Sequence, residues 1–159
     1  MNSDRPRRLD RDGDNTLAYH KSSGISPGVV FLSGYQSAMS GAKAVALESA
    51  CKAQSRAYVR FDYSGHGESD GDFEDCVVSD WLADAVAVLD QCTNGPQVLV
   101  GSSMGGWIAL LTALARPDRV AGLVGIAPAP DFTEDLLLAK ATDAERETFE
   151  RDGVWRKPY

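Results

Sequence analysis

Apolar positions along the chain follow two alternating spacings. Val29–Leu32 is a short, continuous apolar run, as found in strands that are buried on both faces of a parallel sheet. Ser40–Ala53 instead places Ala44, Leu47 and Cys51 on one stripe at helical spacing and leaves charged residues for solvent. This alternation predicts strand–helix–strand units, and therefore an α/β domain whose mostly parallel sheet is covered by helices on both faces.

The remaining elements follow from the same spacings. A turn is predicted at Gly24–Gly28. Ser79 is a candidate N-cap for the second helix, and Asp80 and Asp84 lie on the predicted polar face of that helix. The predicted strands are Thr16–Ser22, Val29–Leu32, Ala57–Tyr63, Gln97–Ser102 and Val120–Pro130, and the predicted helices are Ser40–Ala53, Ser79–Cys92 and Met104–Ala115.

Composition and charge indicate which kinds of molecule are poor candidates as partners of the protein. A length of 159 residues favours one domain, and 43% hydrophobic with 25% charged residues is ordinary globular composition. The net charge of −7 would repel phosphate backbones and anionic membrane surfaces, which argues against nucleic acid and membrane as partners. No segment is long and apolar enough to span a bilayer. Composition and charge do not argue against small neutral or apolar molecules as substrates.

The cysteines and the N-terminal residues provide evidence about the cellular compartment of the protein. Cys51, Cys76 and Cys92 are widely spaced, odd in number and form no CxxC pair, so neither a disulfide framework nor a zinc site is expected. Free thiols suit a reducing interior. The N-terminus has arginines but no hydrophobic stretch after them, and its interleaved aspartates argue against an organelle-targeting start. We therefore expect a cytoplasmic protein.

The candidate chemistry lies where a predicted strand runs directly into a helix. Gly101–Gly105 reads G-x-S-x-G, a pattern that requires this strand-to-helix context. Ser103 has glycine two residues to either side and Ser102 does not, so Ser103 is the candidate nucleophile. The N–H groups and dipole of the helix N-terminus would favour an oxyanion on a substrate carbonyl. The alternative, a glycine-rich loop with an idle serine, fits the two flanking elements less well.

Three stretches resemble landmarks of the α/β-hydrolase superfamily. VLVGSSMGGWIAL resembles its nucleophile elbow, and VVFLSGYQSAMSG resembles the strand and loop that supply a second oxyanion N–H. The resemblance implies that the backbone N–H groups of Met104 and Tyr35 hold the oxyanion, with Ser33 standing where many members have histidine. RFDYSGHGESDG resembles the D-x-x-G-x-G-x-S loop, whose matching positions are Asp62, Gly65, Gly67 and Ser69.

Within the superfamily, the combination of these motifs is most similar to the depalmitoylating thioesterases, the acyl-glucuronide esterases and their bacterial relatives. The resemblance implies an α/β-hydrolase fold and an esterase or thioesterase that forms an acyl-enzyme on Ser103 from a small-molecule acyl ester or thioester. It implies no metal and no organic cofactor, because the motif supplies its own nucleophile. A serine peptidase or lipase of the same superfamily is an alternative, and these motifs leave the acyl chain and the oligomeric state open.

The catalytic order of the superfamily, Ser then Asp or Glu then His, is incomplete in this sequence. Both histidines, His20 and His66, precede Ser103, so the base histidine is expected to be absent from the chain. His66 occupies a loop where the superfamily often has a histidine that is not the base, and His20 is expected on the surface. Asp131 stands where a minority of relatives keep the triad acid, but it fits an N-cap equally well.

These gaps predict the N-terminal part of a longer hydrolase, inactive or crippled by itself, with the C-terminal strands and most of a cap missing. The predicted segments are a flexible N-terminus at 1–14, a hydrolase core at 15–131 and the start of a cap insertion at 132–159. An incomplete cap predicts few packing partners for Leu136, Leu137 and Trp155, and missing strands predict an unpaired sheet edge. The alternative is a non-catalytic fragment or binding module of the same fold.

Overall fold

The structure, a computed structural model, describes residues 5–11 and 15–153 as one sheet with helices around it. The strands are β1 (Arg7–Asp10), β2 (Thr16–Ser22), β3 (Ile25–Leu32), β4 (Arg56–Phe61), β5 (Gln97–Ser102) and β6 (Val120–Ile126). The helices are α1 (Ala42–Ala53), α2 (Val78–Cys92), α3 (Met104–Ala115) and α4 (Asp143–Asp152). Short helical turns occupy Phe73–Asp75, Pro117–Arg119, Thr133–Leu137 and Leu138–Lys140.

The sheet is mostly parallel, as predicted. Its strand order is β1-β2-β4-β3-β5-β6. β3 pairs in parallel with β4 and with β5, and β5 pairs in parallel with β6, while β1 and β2 add an antiparallel edge. Because the parallel strands run the same way, their carboxyl ends meet along one edge of the sheet, where the loops of an α/β site lie.

The two faces of the sheet carry separate cores. Alternate residues of β3 point to opposite faces, so Leu32 joins a large cluster with residues of α2 and α3, whereas Phe31 joins a smaller cluster with residues of α1. The larger cluster includes the fully buried Phe61, Val88 and Met104. Helices on both faces therefore bury a sheet whose central strands are apolar on both sides, which explains the continuous apolar runs of the sequence.

Two N-terminal features differ from the sequence prediction. Arg7–Asp10 lies within the segment expected to be flexible, yet it forms β1 and pairs antiparallel with β2. Residues 1–4 and 12–14 lie outside the described residues. Ile25, which was assigned to a turn, begins β3 and pairs with Arg56, and a register shift separates this pair from the pair at Val29.

The start and the polar face of α2 also differ from the prediction. The N-cap residue is Val77, so the N-cap prediction for Ser79 is wrong. The Val77 N–H donates to Oδ2 of Asp80 at 2.9 Å, so the side chain of the third helical residue reaches back to the N-cap backbone, as the acidic residue of a capping box does. Asp84, predicted on the solvent face, is 1% exposed.

The β6 edge exposes several large apolar side chains. Within the described residues, β6 pairs with β5 alone. Leu123, Val124 and Ile126 are 43%, 50% and 37% exposed. Val124 stands beside Val100 in register and therefore shares the face that α1 packs against, but α1 packs over β4 and leaves this part of the sheet uncovered.

The segment after β6 wraps back over the site end of the sheet. Phe132 is buried against the larger core cluster, and Leu137 is partly buried there, contrary to the few packing partners expected of Leu137. Leu136 is 49% exposed, in line with the packing expected of it, whereas Trp155 lies outside the described residues. α4 has no buried residue. Among residues 5–11 and 15–153, no helix combines the length and the apolar character needed to cross a membrane.

Candidate active site

Ser103 occupies a strained turn at the carboxyl end of β5. Its φ of 54° and ψ of −122° place a non-glycine residue in a region that costs conformational energy, and α3 starts at the next residue. The side chain is exposed, whereas Ser102 is 8% exposed. The Ser103 N–H donates to the Ile126 carbonyl at 3.0 Å, and its own carbonyl accepts the Ala129 N–H at 3.1 Å. The segment at the end of β6 therefore holds the turn from both sides.

The turn depends on glycines where backbones cross. A Cβ on Gly101 would overlap the carbonyl oxygen of Gly105, and a Cβ on Gly105 would overlap the carbonyl oxygens of Leu32 and Ser33. α3 can therefore pack directly on the ends of β5 and β3 only because these positions lack side chains. The result is a short, rigid path from the strand to the helix, with the Ser103 hydroxyl on the outside.

The loop at residues 33–41, hereafter the 33–41 loop, lies next to Ser103. A Cβ on Gly34 would lie 3.3 Å from the Ser103 Cβ and 3.3 Å from the Ser102 carbonyl oxygen. The Tyr35 ring makes edge contacts with the rings of Phe73 and Phe132, with centroids 5.1 and 5.5 Å apart. The 33–41 loop, which carries Tyr35, therefore comes close to Ser103 at Gly34, and Met104 follows Ser103 as the first residue of α3.

Asp62 fixes the far end of the 33–41 loop. Its Oδ1 accepts the Met39 N–H at 2.6 Å, and its Oδ2 accepts the Glu68 N–H at 2.9 Å. The carboxyl is 1% exposed, and burial raises its pKa above the ordinary value although both N–H donors oppose the shift. A Cβ on Gly67 would overlap this carboxyl, which explains the glycine at that position of the motif.

His66 is engaged at both ring nitrogens. Its Nε2 accepts the Gln36 N–H at 3.3 Å, and its Nδ1 lies 3.2 Å from the Ser64 carbonyl oxygen. The ring is 4% exposed, and burial lowers its pKa although the Ser64 carbonyl and the carboxylates of Asp62 and Asp84 act in the opposite direction. A neutral imidazole held in this way supports the loop and has no nitrogen left to accept the Ser103 proton.

The other three residues singled out in the sequence are His20, Asp131 and Ser33. His20 is half-buried on β2, in register with Arg60 of β4. Asp131 is exposed with a φ of 54°, and its carbonyl accepts the N–H groups of Glu134 and Asp135. The Ser33 hydroxyl is buried without a hydrogen-bond partner within the described residues.

Asp84 is the residue of this region that sequence reasoning missed. Its Oδ2 accepts the Ser64 N–H at 2.8 Å, and its Oδ1 pairs with Arg11 at 3.1 Å. Burial raises the pKa of this carboxyl, although the Ser64 N–H and Arg11 oppose the shift. Asp84 lies three residues after Trp81, which belongs to the apolar stripe of α2, but its partners Ser64 and Arg11 are distant in the sequence.

The three cysteines are free thiols, and Cys51 and Cys92 are buried. Within residues 5–11 and 15–153, no group of three or more His, Cys, Asp or Glu side chains could hold a metal ion.

Comparison with known proteins agrees with this geometry. The model of the family described as Hydrolase_4, serine aminopeptidase S33, matches residues 26–151. The chain belongs to this family. It is 45% identical over 150 residues to the palmitoyl-protein thioesterase ABHD10, mitochondrial, of Bos taurus, a match that covers 94% of this chain and 49% of that protein. The chain thus spans about half the length of the curated relatives it matches.

Solved structures extend the family match to three dimensions. Alpha/beta hydrolase domain-containing protein 10 from mouse superposes with a TM-score of 0.85 at 41% identity, covering 97% of this chain and 66% of that one. A hydrolase structure from Agrobacterium vitis S4 gives a TM-score of 0.85 at 35% identity, covering 97% and 63%. The predicted α/β-hydrolase fold is confirmed by these matches.

Proposed function

We propose that the chain is the nucleophile-bearing part of a serine hydrolase that cleaves a carboxylic ester or an acyl thioester. The observation that carries this proposal is Ser103, which is exposed, held at a positive φ and placed at the first turn of α3 beside the 33–41 loop. These features support the proposal that Ser103 lies on a nucleophile elbow. Its strained backbone keeps the hydroxyl out of the core and next to N–H groups.

In the proposed reaction the Ser103 oxygen attacks the acyl carbon and loses its proton to a base. The backbone N–H groups of Met104 and Tyr35 stabilise the oxyanion, and the alcohol or thiol leaves with a proton as the acyl-enzyme forms. Water then releases the acid and regenerates the serine. Neither histidine follows Ser103, and His66 is already engaged, so we assign the base to a group outside this chain. Asp131, in the segment that follows β6, stays a candidate for the acid.

The relatives favour an acyl thioester as substrate. The bovine relative is named a palmitoyl-protein thioesterase, and the family is described as a serine aminopeptidase, so ester, thioester and peptide carbonyls all fall within the same chemistry. We propose residues 15–131 as the hydrolase core and 132–159 as the start of a cap over the acyl group. The exposed Leu136 on this segment fits a role in contacting apolar substrate.

A non-catalytic binding module is the second candidate, because the sequence places no histidine after Ser103. The same N–H groups and the partly exposed rings of Tyr35 and Phe73 would then bind a carbonyl compound without turnover. As to location, the relative's name includes "mitochondrial", which does not support the cytoplasmic expectation. Free buried thiols suit either compartment, since both are reducing.

A fluorophosphonate probe separates the two candidates. We expect slow covalent labelling of the wild-type 159-residue chain at Ser103, located by mass spectrometry, and no labelling of Ser103→Ala. Ser102→Ala is the matched control, because this neighbouring serine is buried and should leave labelling unchanged within about two-fold. Labelling that survives in Ser103→Ala, or that mass spectrometry locates at a serine other than Ser103, would contradict the hydrolase proposal.

A further inference from the structure

His66 connects two loops that are about thirty residues apart in the sequence. On one side its Nε2 accepts the Gln36 N–H at 3.3 Å, and on the other its Nδ1 lies 3.2 Å from the Ser64 carbonyl oxygen. The Gln36 N–H can only donate, and the Ser64 carbonyl can only accept. One neutral tautomer satisfies both partners, with the proton on Nδ1 and the lone pair on Nε2.

The surroundings of the ring keep it in this orientation. Its edge-to-face neighbours are Phe73, Trp81 and Tyr63, with centroids 5.1, 5.3 and 5.7 Å away. The Trp81 Nε1–H donates to the same Ser64 carbonyl at 3.1 Å. Ser64 is in turn held by Asp84 through its N–H. The acceptor on Nε2 is therefore presented to the 33–41 loop from a rigid base.

The 33–41 loop needs such an acceptor at this point. Gln36 has a φ of 52°, a left-handed conformation that a non-glycine residue adopts only when its surroundings hold it. The Gln36 N–H belongs to the peptide that follows Tyr35, whose own N–H is one of the two proposed oxyanion donors. A cavity of about 200 Å³ lined by Gln36, Gly65 and Phe73 lies beside the ring, so the loop has space to move if it is released.

We propose that His66 is a positioning residue that, in its neutral Nδ1–H form, holds the peptide after Tyr35 and so aims the Tyr35 N–H at the oxyanion. If Nε2 were protonated, its N–H would face the N–H of Gln36. Neither group can accept a hydrogen bond, so the contact would be lost and the loop released. This inference rests on the proposed hydrolase function for its catalytic consequence, but the contact itself can be tested without turnover.

The pH dependence follows from the groups that face the ring. The carboxylates of Asp62 and Asp84 favour the protonated imidazole, but burial outweighs them and lowers the pKa of His66. Arg11 pairs with Asp84 and reduces its effect further. The neutral, loop-holding form is thus the one present at neutral pH. Acidification through this lowered pKa should release Gln36.

The contact is testable by NMR on the 159-residue chain. Imidazole ¹⁵N shifts report the tautomer, and His20→Gln distinguishes the two histidines. His66→Phe keeps a ring against Phe73 and Trp81 but removes the acceptor, whereas His66→Gln can restore an acceptor near the Nε2 position. We expect hydrogen exchange at the Gln36 amide to be roughly 2- to 10-fold faster in His66→Phe, as for the loss of one neutral hydrogen bond, and largely restored in His66→Gln. The Met39 amide, held by Asp62, is the internal control.

Fluorophosphonate labelling tests the catalytic consequence. We expect the labelling rate at Ser103 to fall in His66→Phe at pH 7 and to recover in His66→Gln, and the wild-type rate to drop in acid together with the His66 shifts. An Nε2–H tautomer, or equal Gln36 exchange in wild type and His66→Phe, would overturn the proposal even if His66→Phe folds poorly, because the tautomer is read in the wild type. Equal labelling rates with a lost Gln36 contact would also overturn it. A wild type that shows the contact but labels at a serine other than Ser103 would support loop positioning and contradict the proposed hydrolase function alone.

Discussion

The strain at Ser103 is maintained by contacts that lie outside the G-x-S-x-G motif. The N–H and carbonyl of Ser103 are hydrogen-bonded to Ile126, the last residue of β6, and to Ala129 just after it, and the glycines on either side allow close backbone contact. A positive φ costs on the order of 1–3 kcal/mol and persists only where the surroundings determine it. The motif therefore marks where the strained residue lies, while the end of β6 supplies part of what holds it there.

Gly105→Ala should destabilise the protein strongly. Its methyl group would meet two backbone oxygens, those of Leu32 and Ser33, and backbone cannot move aside as a flexible side chain can. We expect a loss of at least ~2 kcal/mol in the free energy of unfolding, measured by urea denaturation. Gly122→Ala is the control, because its Cβ would have one neighbour, a Val98 methyl at 4.0 Å, and should be near neutral. A similar loss of unfolding free energy in Gly105→Ala and Gly122→Ala would contradict this prediction, because it would show that α3 can move away from the Leu32 and Ser33 backbone without cost.

At the scale of elements, the start of α2 tests how its first turn is stabilised. Asp80→Ala removes the carboxylate that accepts the Val77 N–H at 2.9 Å and that lies near the positive end of the helix. We expect a loss of about 1 kcal/mol in unfolding free energy, measured by urea denaturation at moderate salt. Ser79→Ala, an exposed position one residue earlier, should change it by less than about 0.5 kcal/mol. A larger effect at Ser79 than at Asp80 would restore the sequence-based assignment of the cap.

Elements whose residues carry their own pattern could be predicted closely. β5 and α3 have the predicted bounds, because an apolar run and an apolar helix meet there at glycines. β1 could not be predicted, because Arg7–Asp10 is polar and becomes a strand through pairing with β2. Asp84 was assigned to solvent because its burial depends on the distant Ser64 and Arg11, which no local spacing records.

The candidate site divides in the same way. Ser103 and the loop motif around Asp62 could be identified in the sequence, because each is a short pattern with a local physical reason. Their joint action on the 33–41 loop could not, because Asp62 bonds to Met39 and His66 to Gln36 across 23 and 30 residues. Contacts of that kind depend on where the chain returns in the folded sheet. Sequence reasoning placed His66 in a structural role without identifying its partner.

For the whole molecule, the β6 edge should control association of the 159-residue chain. An exposed apolar strand with an unpaired edge is a template for pairing with another copy, and Val124 is 50% exposed on it. We expect sedimentation velocity to show concentration-dependent association of the wild type, and Val124→Lys to shift it toward monomer. Val45→Lys makes the same change at a valine that is 41% exposed on α1, away from the edge, and should leave association unchanged. A monomeric wild type up to high concentration, or equal effects of the two lysines, would show that this edge is not the contact, since only Val124 lies on the strand whose N–H and C=O groups could pair.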